Sequence, residues 1–511
     1  MLRSTVLSRI SSLTSRRLLT TAVALGLCAL PACGKKKDGE TANPGEGAQS
    51  AEQIQVAIDK AKQEARVSQL IELANKDLAS GRYLTAAKRA DEALAENPDN
   101  ADAYAVLGAA RWRAGDFDGS NDAFRKALEI DEKNFGATLG LARNLQTEGK
   151  HVEAAELQDV LLADDPEQLD PQLAKLWSYY AACDADNAVK AVDEIFPRMG
   201  KDDAVLPLVQ AYAAFIRPFE GKGPLCGVKG AQGSSSLDIN LTYGLKYSGG
   251  VVGGEFAPVI FLETREEAVI DAKLAKTLKL EELGKYKPPG TEEEVGITLI
   301  PSITFGKLEL QNVPATIQPL DAYTDVTGGE TPGVILGRQA MQSLGAITFD
   351  FPGRSLEVAK DAPAGAADGE VELPMLMLSM HLQHVPLVPM SIDGSEHRFY
   401  AYLGFTFPSG SALGVTKKHY LKSGHLPRQV DPPDDPDRGL KMVYIDTLSL
   451  GGQALPGTSG LVLVNEPADP TLDIFLRNTG FEVGGQISVT LLKTWRVTYA
   501  LGEGKVYIKP S

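Results

Sequence analysis

The sequence predicts a multidomain α + β protein, in which an N-terminal α-solenoid is followed by two mostly-β lobes. Three observations support this fold class. From Val67 onwards the same apolar and small residues return every 34 positions. After a helical stretch around Val205 to Ile216, short alternating strands appear, punctuated by Gly and Pro. Two stretches of the β-rich part are similar to each other at an offset of 150. At about 150 residues per domain, the length suffices for roughly three domains.

The composition is that of an acidic globular protein. Hydrophobic residues make up 43% of the 511 positions, and 67 Asp and Glu outnumber 51 Lys and Arg. These fractions differ from those of a disordered acidic tail. Because an acidic chain without a basic stripe attracts a phosphate backbone poorly, we exclude nucleic acid as a partner.

The N-terminus has the pattern of an export signal. Four arginines and no acidic residue accompany an apolar run, Leu18 to Leu30, which is too short to span a bilayer. The run ends in Leu30-Pro31-Ala32-Cys33, which resembles the bacterial lipobox. That resemblance implies a signal peptide over residues 1–32 and acyl chains on Cys33. An ordinary signal peptide cleaved nearby, with Cys33 an incidental thiol, is the alternative.

Residues 33–50 follow as a flexible tether. They begin Cys-Gly-Lys-Lys-Lys and are then rich in Gly, Pro, Asn and Ser. No later apolar run is long enough to span a bilayer, so the lipid anchor would be the only membrane attachment. We therefore expect a lipid-anchored protein of the bacterial cell envelope, at the outer membrane or the periplasmic face.

Cysteine usage agrees with export. Once Cys28 is removed with the signal and Cys33 is lipidated, Cys183 and Cys226 remain as an even pair in an oxidising compartment. They form either a disulfide or two buried free thiols, and the sequence leaves both open.

Residues 51–200 carry the helical repeats. Small residues let paired helices approach closely, Gly serves the turn between them, and Pro ends the second helix. The pattern resembles the tetratricopeptide repeat, a helix-turn-helix unit of this period. The columns in register are Leu73, Leu107 and Leu141; Gly81, Gly115 and Gly149; Tyr83, Phe117 and His151; Ala86, Ser120 and Ala154; Ala93, Ala127 and Leu161; and Pro98, Glu132 and Pro166.

A fourth, degenerate unit runs from about Asp170 to Phe196. Its first helix is crowded by Trp177, Tyr179 and Tyr180, which we interpret as a hydrophobic cap rather than a ligand box, because terminal repeats are atypical. Stacked repeats present a concave groove, and in the resembled family that groove commonly binds peptides. The expected partner is therefore a polypeptide.

The remaining chain divides into a connector and a duplicated unit. Ile347-Thr-Phe-Asp-Phe-Pro-Gly-Arg-Ser-Leu-Glu-Val358 is similar to Val497-Thr-Tyr-Ala-Leu-Gly-Glu-Gly-Lys-Val-Tyr-Ile508. This similarity predicts a tandem duplication. The expected segments are a helical connector over 201–231, a first lobe over 232–360, an acidic Ala/Gly-rich linker over 361–370 and a second lobe over 371–511.

The lobes resemble retropepsin-like aspartic peptidases. Pro332-Gly-Val-Ile-Leu-Gly337, followed by a short helix and Ile347-Thr-Phe-Asp350, resembles the closing segment of that family. Glu263-Thr264-Arg265 stands where the family has Asp-Thr-Gly, and in the second lobe that position falls at or near Gly404. The resemblance implies two lobes that assemble as in pepsin.

The departures from the family weigh against catalysis. Aspartic peptidases need two carboxylates that share one proton and a water. Glu263 is one methylene longer than Asp, Arg265 replaces a Gly and is expected to obstruct and recharge the site, and residues 398–430 contain no Asp or Glu. The counterpart of Gly337 in the second lobe falls near Gly485 or Ser488. We therefore expect a non-catalytic, peptide-binding scaffold; the alternative is a divergent aspartic-type endopeptidase that uses Glu263.

No metal or cofactor is expected. His381 and His384 are three residues apart, and no helix signature or Glu accompanies them. The Asp-rich segment Asp431 to Arg438 is interrupted by prolines that indicate a stiff, solvated loop.

Overall fold

The computed structural model describes most of the chain beyond residue 50. The expected signal peptide, the tether and Cys33 lie outside the described residues, as do His381 and the segment Asp431 to Arg438. The described ranges are 51–166, 168–201, 203, 205–288, 291–380, 383–405, 412–424, 428–429, 440–455, 458–463 and 482–510. The chain divides into two compact units after Gln69.

Helices dominate the N-terminal part and lie where the 34-residue period predicts them. Side chains of Asn100, Asp116, Asn134 and Asp184 accept a hydrogen bond from the backbone N–H three residues on, which caps the helix that follows each. The helices are α1 (Ala51–Ala79), α2 (Tyr83–Glu96), α3 (Ala101–Ala114), α4 (Phe117–Ile130), α5 (Phe135–Thr147), α6 (His151–Asp164), α7 (Leu169–Ala181), α8 (Ala185–Ile195) and α9 (Leu206–Ile216).

The turn between the two helices of each unit uses left-handed backbone. Gly81, Gly115 and Gly149 have φ of +74°, +85° and +84°. The fourth unit has Cys183 in the same column of the repeat, with φ of +59°. The period therefore extends through the degenerate unit, even though its turn residue is not a glycine.

Small residues bring the repeats together. The ring of Phe124 lies between Gly108 and Gly140, where a Cβ atom would come within 2.7 Å and 2.2 Å of it, respectively. Ala86, Ala123 and Ala154 are buried on neighbouring helices. Among the described residues no helix is both long enough and apolar enough to cross a bilayer.

The C-terminal part consists of strands with a few short helices. The expected helical connector over 201–231 is not helical throughout, because it ends in a strand, β1 (Gly227–Lys229), which pairs with a strand of the first lobe. The first lobe itself contains β2 (Gln232–Asn240), β3 (Leu245–Val252), β4 (Glu255–Leu262), β5 (Ala268–Asp271), α10 (Ala272–Thr277), β6 (Gly284–Tyr286), β7 (Val295–Phe305), β8 (Leu308–Gln318), β9 (Val334–Gly337), α11 (Arg338–Gln342), β10 (Ala346–Asp350) and β11 (Ser355–Ala359).

The second lobe follows the same plan. It contains β12 (Val371–Pro374), β13 (Leu376–Met380), β14 (Gln383–Ile392), β15 (Phe399–Phe405), β16 (Leu413–Thr416), α12 (Lys417–Lys422), β17 (Arg428–Gln429), β18 (Leu440–Ile445), β19 (Leu448–Leu450), β20 (Gln453–Leu455), β21 (Thr458–Leu463), β22 (Val483–Ser488), α13 (Val489–Leu492), β23 (Trp495–Ala500) and β24 (Lys505–Pro510).

The two lobes have the same strand order. In the first lobe the order is β3-β4-β9-β5-β8-β7-β6, and in the second it is β14-β15-β22-β16-β21-β18-β17. The directions also agree: β4–β9 and β15–β22 are parallel, β9–β5 and β22–β16 are antiparallel, and β5–β8 and β16–β21 are parallel. The duplication seen in the sequence is therefore a duplication of topology.

A six-stranded path of sheet joins the lobes. Its order is β12-β24-β23-β10-β11-β2, so each lobe contributes three strands. At the centre Thr348 lies directly opposite Thr498, and their Oγ1 atoms are 2.8 Å apart. The separation of these two residues along the chain equals the sequence offset, so the approximate twofold axis passes between them.

The start of the last helix in each lobe identifies the counterpart of Gly337. Gly337 is the N-cap residue of α11, and Ser488 is the N-cap residue of α13. The counterpart is therefore Ser488 rather than Gly485, and the Ser488 hydroxyl accepts a hydrogen bond from the N–H of Thr490.

Candidate functional site

The two positions predicted for the catalytic dyad face each other. Glu263 directly follows β4, and Gly404 lies in β15. A Cβ atom placed on Gly404 would lie 3.6 Å from Glu263 Oε1. Gly404 has φ of +103°, and the pairing of β15 with β22 is irregular between Leu403 and Phe405. One of the two facing positions thus carries a carboxylate, and the other carries no side chain.

The charged partner of Glu263 is Lys246. Its Nζ atom lies 2.6 Å from Glu263 Oε1, and the two side chains are only 4% and 7% exposed, respectively. The ammonium also lies 5.4 Å from the ring centre of Phe349 and 5.8 Å from that of Tyr499. A buried carboxylate paired in this way with a cation has its charge satisfied within the protein.

Two tyrosines complete the surroundings of this ion pair. Burial, together with the negative charge of Glu263, raises the pKa of both Tyr402 and Tyr499 above the usual range. Both phenols are therefore neutral around pH 7. The Tyr499 hydroxyl is buried and has no hydrogen-bond partner among the described residues. The arrangement contains one carboxylate and one ammonium, which differs from two acids that share a proton.

The sequence did not single out Lys246. The contact depends on β3 pairing with β4, where Lys246 lies opposite Phe261, two residues before Glu263. The available signal was a lysine on the inward face of an alternating strand, since buried and partly exposed positions alternate along β3.

Arg265 does not play the role that we expected. We predicted that it would obstruct and recharge the site at Glu263. Instead its positive charge acts on Glu267 and Tyr286, where it favours the ionised forms. The cation paired with Glu263 is Lys246.

The loop after Glu263 is fastened to the second lobe. The backbone N–H of His384 donates to the carbonyl oxygen of Thr264 at 3.2 Å. The His384 imidazole contacts the carboxylate of Glu266. Burial lowers the pKa of His384, although Glu266 opposes that shift. His384, which we treated as an ordinary packed or surface histidine, thus lies within a buried polar cluster.

Glu266 is the centre of this cluster. Arg338 Nη2 donates to both of its carboxylate oxygens, at 2.7 and 2.8 Å. Burial opposes ionisation, but Arg338 and His384 lower the pKa of Glu266 well below its usual range. Arg338 Nη1 also donates to His151 Nε2 at 3.1 Å, and burial and Arg338 lower the pKa of His151 to about 3. A helix of the repeats, α6, thus contacts the cluster around the loop that follows Glu263.

Glu267 makes a second contact with the repeats. The Tyr180 hydroxyl donates to Glu267 Oε1 at 2.5 Å, and Gln339 Nε2 donates to the Tyr180 carbonyl oxygen at 2.5 Å. Burial raises the pKa of Glu267. The Tyr180 ring also packs edge-on against Tyr212 of α9. Tyr180 therefore acts as a packing residue at the end of the repeats.

Three of the four repeat turns, those at Gly115, Gly149 and Cys183, contact the β region. The Tyr400 hydroxyl donates to the Gly115 carbonyl at 3.2 Å, and Gln342 Nε2 donates to the Gly149 carbonyl at 2.5 Å. In the next turn Cys183 forms a disulfide with Cys226, which also has a positive φ of +52°. The sequence predicts this column to form turns within the repeats. One residue in it indicates a contact with another part of the chain, namely a cysteine in a column of glycines.

The second lobe covers part of the repeat surface. Trp112 and Phe117 pack edge-on, and Phe117 packs edge-on against Tyr400. The guanidinium of Arg143 lies 3.9 Å from the centre of the Trp112 ring. The apolar residues of the second lobe in the same cluster are Leu376, Leu378, Val385, Leu387, Tyr400 and Val483. The second lobe therefore covers part of the surface that α3 and α4 would expose in an isolated array of repeats.

The described part of the chain offers no cluster of metal ligands. There, no group of three or more His, Cys, Asp and Glu side chains is arranged to hold a metal ion.

Comparison with known proteins gives local matches to solved structures. No protein-family model matches the chain, and no curated protein matches it. The crystal structure of MamA is 18% identical, covers 29% of this chain and 79% of its own, and has a TM-score of 0.25. The first TPR of Spaghetti (RPAP3), bound to an HSP90 peptide, is 17% identical over 23% and 93%, with a TM-score of 0.22. A tetratricopeptide repeat protein from Parabacteroides merdae is 19% identical over 30% and 60%, with a TM-score of 0.27.

Proposed function

We propose that the protein is a non-catalytic, lipid-anchored scaffold of the bacterial cell envelope. It binds extended polypeptides through its tetratricopeptide-type repeats and through the cleft of a disarmed, aspartic peptidase-like β unit. The observation that carries the proposal is the pairing of Glu263 with Lys246 opposite Gly404.

The aspartic peptidase-like part of the proposal has support from topology. Two lobes of the same strand order, related by an axis between Thr348 and Thr498, are what a single-chain, two-lobed peptidase requires. The positions of the expected dyad lie together at the floor between the lobes. A fold of this kind retains its cleft after the acids are lost, because the cleft is formed by the strands.

The proposed absence of catalysis rests on the charges of the side chains at this site. A water held by two carboxylates needs one of them ionised and one protonated. At this site the ammonium of Lys246 neutralises Glu263, and residues 398–430 supply no second acid. Strand edges in such a cleft can still hydrogen-bond the backbone of an extended peptide.

The envelope part of the proposal rests on the N-terminal sequence and on the cysteines. The lipobox-like Leu30 to Cys33 and the tether of residues 33–50 support anchoring by acyl chains. The disulfide between Cys183 and Cys226 supports an oxidising compartment. The lysines after Cys33 favour an anionic membrane surface.

A peptide-binding experiment tests this proposal. The chain from residue 34 onward is mixed with a library of short, fluorescent, unstructured peptides that carry a photo-crosslinking residue. We expect a subset to raise fluorescence anisotropy, to remain intact by mass spectrometry, and to crosslink to β4, β15 or the first helices of the repeats. If no peptide binds, or if crosslinks fall only elsewhere, the proposal is wrong.

A further inference from the structure

A pair of histidines forms a contact between a loop and a helix of the second lobe. His397 Nε2 and His419 Nδ1 are 2.9 Å apart, and their ring planes differ by only 15°. This is the geometry of an N–H···N hydrogen bond in which one nitrogen donates and the other accepts. His397 lies in the loop before β15, and His419 lies in α12.

The His419 ring is held on its other sides as well. Its Nε2 atom lies 3.5 Å from Glu482 Oε1, and Glu482 also accepts a hydrogen bond from Lys418 Nζ at 2.7 Å. Gly484 lies beneath the ring, since a Cβ atom there would come 2.8 Å from His419 Cγ. Only 6% of His419 is exposed. The ring therefore connects α12 to the segment that leads into β22.

The first lobe shows that the fold does not need a histidine at this position. Leu274 is the third residue of α10, as His419 is the third residue of α12. A Cβ atom on Gly333 would meet Leu274 and Ala257, while one on Gly484 would meet His419 and Phe399. The same pocket is thus apolar in one copy and titratable in the other.

The surroundings of the pair favour a neutral His397. Burial lowers the pKa of His397, and His419, Lys422 and Lys418 add to this effect, while Glu482 opposes it. Hydrogen bonds from His419 and Lys418 outweigh burial and lower the pKa of Glu482 to about 2. Glu482 is therefore ionised over the whole physiological range and does not titrate with the histidines.

We infer that the His397–His419 pair is a proton-operated latch, which is closed at neutral pH and opens when both rings are protonated. The bond tolerates one added proton, because two facing nitrogens need only one hydrogen between them. A second proton turns both nitrogens into donors and places two positive rings against each other, next to Lys418 and Lys422. Opening releases α12 from the loop before β15, the strand that carries Gly404.

Hydrogen exchange as a function of pH tests the latch. Exchange is measured by mass spectrometry between pH 7.5 and 4.5 and corrected for intrinsic rates. We expect the protection of α12 (Lys417–Lys422) and β22 (Val483–Ser488) to fall by about tenfold or more at the acidic end, the change that one pKa unit of linkage produces. The counterpart helix α10 (Ala272–Thr277) is the internal control and should keep its protection.

His419→Leu is the matched variant, because it copies Leu274 of the first lobe. It should abolish the pH dependence of α12 protection. If His419→Leu does not fold, His397→Gln removes one of the two titrating rings and should have the same effect. Equal pH dependence of α12 and α10 in the natural protein, or an unchanged pH dependence in the variant that folds, would overturn the inference.

Discussion

At the scale of single residues, Lys246 and Glu263 depend on each other. Both side chains are buried, and their charges lie 2.6 Å apart. Replacing a whole buried pair by apolar residues is often tolerated, whereas removing one partner strands the other charge in a medium that solvates it poorly. The stability of this buried region therefore rests on the pair rather than on either residue.

The first prediction concerns Lys246→Met. We expect this variant to lose about 3–5 kcal/mol of unfolding free energy, because Glu263 is left buried without a counter-charge. The double variant Lys246→Met, Glu263→Met is the control and should recover most of that loss. Urea unfolding followed by circular dichroism measures both. A single variant as stable as the natural protein would show that the pair does not form.

The second prediction concerns Glu267→Gln. Burial raises the pKa of Glu267, so the stability that this carboxyl group contributes is present below its unfolded pKa and is lost as the pH rises through the folded pKa. The amide keeps an oxygen for the Tyr180 hydroxyl and does not titrate. The unfolding free energy of the variant should therefore increase relative to that of the natural protein as the pH rises above about 4.5. The gain is about 1.4 kcal/mol for each unit by which the folded pKa exceeds the unfolded pKa.

Unfolding free energies between pH 4 and 8 give the comparison for Glu267→Gln. Glu293→Gln, at an exposed position, should leave the pH dependence unchanged. Parallel curves for Glu267→Gln and the natural protein would contradict the expected titration.

At the scale of elements, the turn column of the repeats has two roles. The glycines permit the left-handed backbone between paired helices, and the same turns contact the β region through Gly115, Gly149 and Cys183. Gly81 shares the backbone conformation but lacks this contact, since a Cβ atom there would meet only Tyr83, at 3.7 Å. The two roles can therefore be separated by substitution.

The third prediction compares Gly81→Ala with Gly149→Ala. Left-handed backbone costs an L residue about 1–2 kcal/mol, so both variants should lose about that much. At Gly149 the added Cβ atom would also lie 2.2 Å from the Leu501 carbonyl oxygen, so this variant should lose more and should release the repeats from the β region. Unfolding free energy and limited proteolysis provide the measurements. Equal losses in the two variants would show that the docking seen at Gly149 contributes nothing.

At the scale of the whole molecule, the features that can be predicted from the sequence are those that repeat along it. The 34-residue period places the helices, and the offset of 150 identifies Thr348 and Thr498 as equivalent residues that the structure places on the axis. The sequence also identifies Glu263 and Gly404 as the residues that face each other across the lobes.

Contacts between elements distant in sequence escaped sequence analysis. Lys246 reaches Glu263 through the register of β3 and β4, and Tyr180 reaches Glu267 through the docking of a repeat on a lobe. Each contact joins a single pair of residues and does not repeat along the chain, so neither produces a periodic pattern in the sequence. For the same reason, the sequence did not indicate that the second lobe covers part of the repeat surface.

These contacts hold the loop after β4 from three parts of the molecule. The loop from Glu263 to Glu267 is paired with Lys246 from β3, with His384 from the second lobe and with Tyr180 from the repeats. In the proposed function a loop fixed in this way serves binding, because hydrolysis of the aspartic type requires a second acid.

A hydrolysis assay tests the proposed absence of catalysis most directly. The chain from residue 34 onward is incubated with a mixed peptide library from pH 3 to pH 8, beside a Glu263→Ala variant, and products are counted by mass spectrometry. We predict that the natural protein yields no more cleavage products than the variant at any pH. Cleavage by the natural protein that disappears in Glu263→Ala would contradict this prediction.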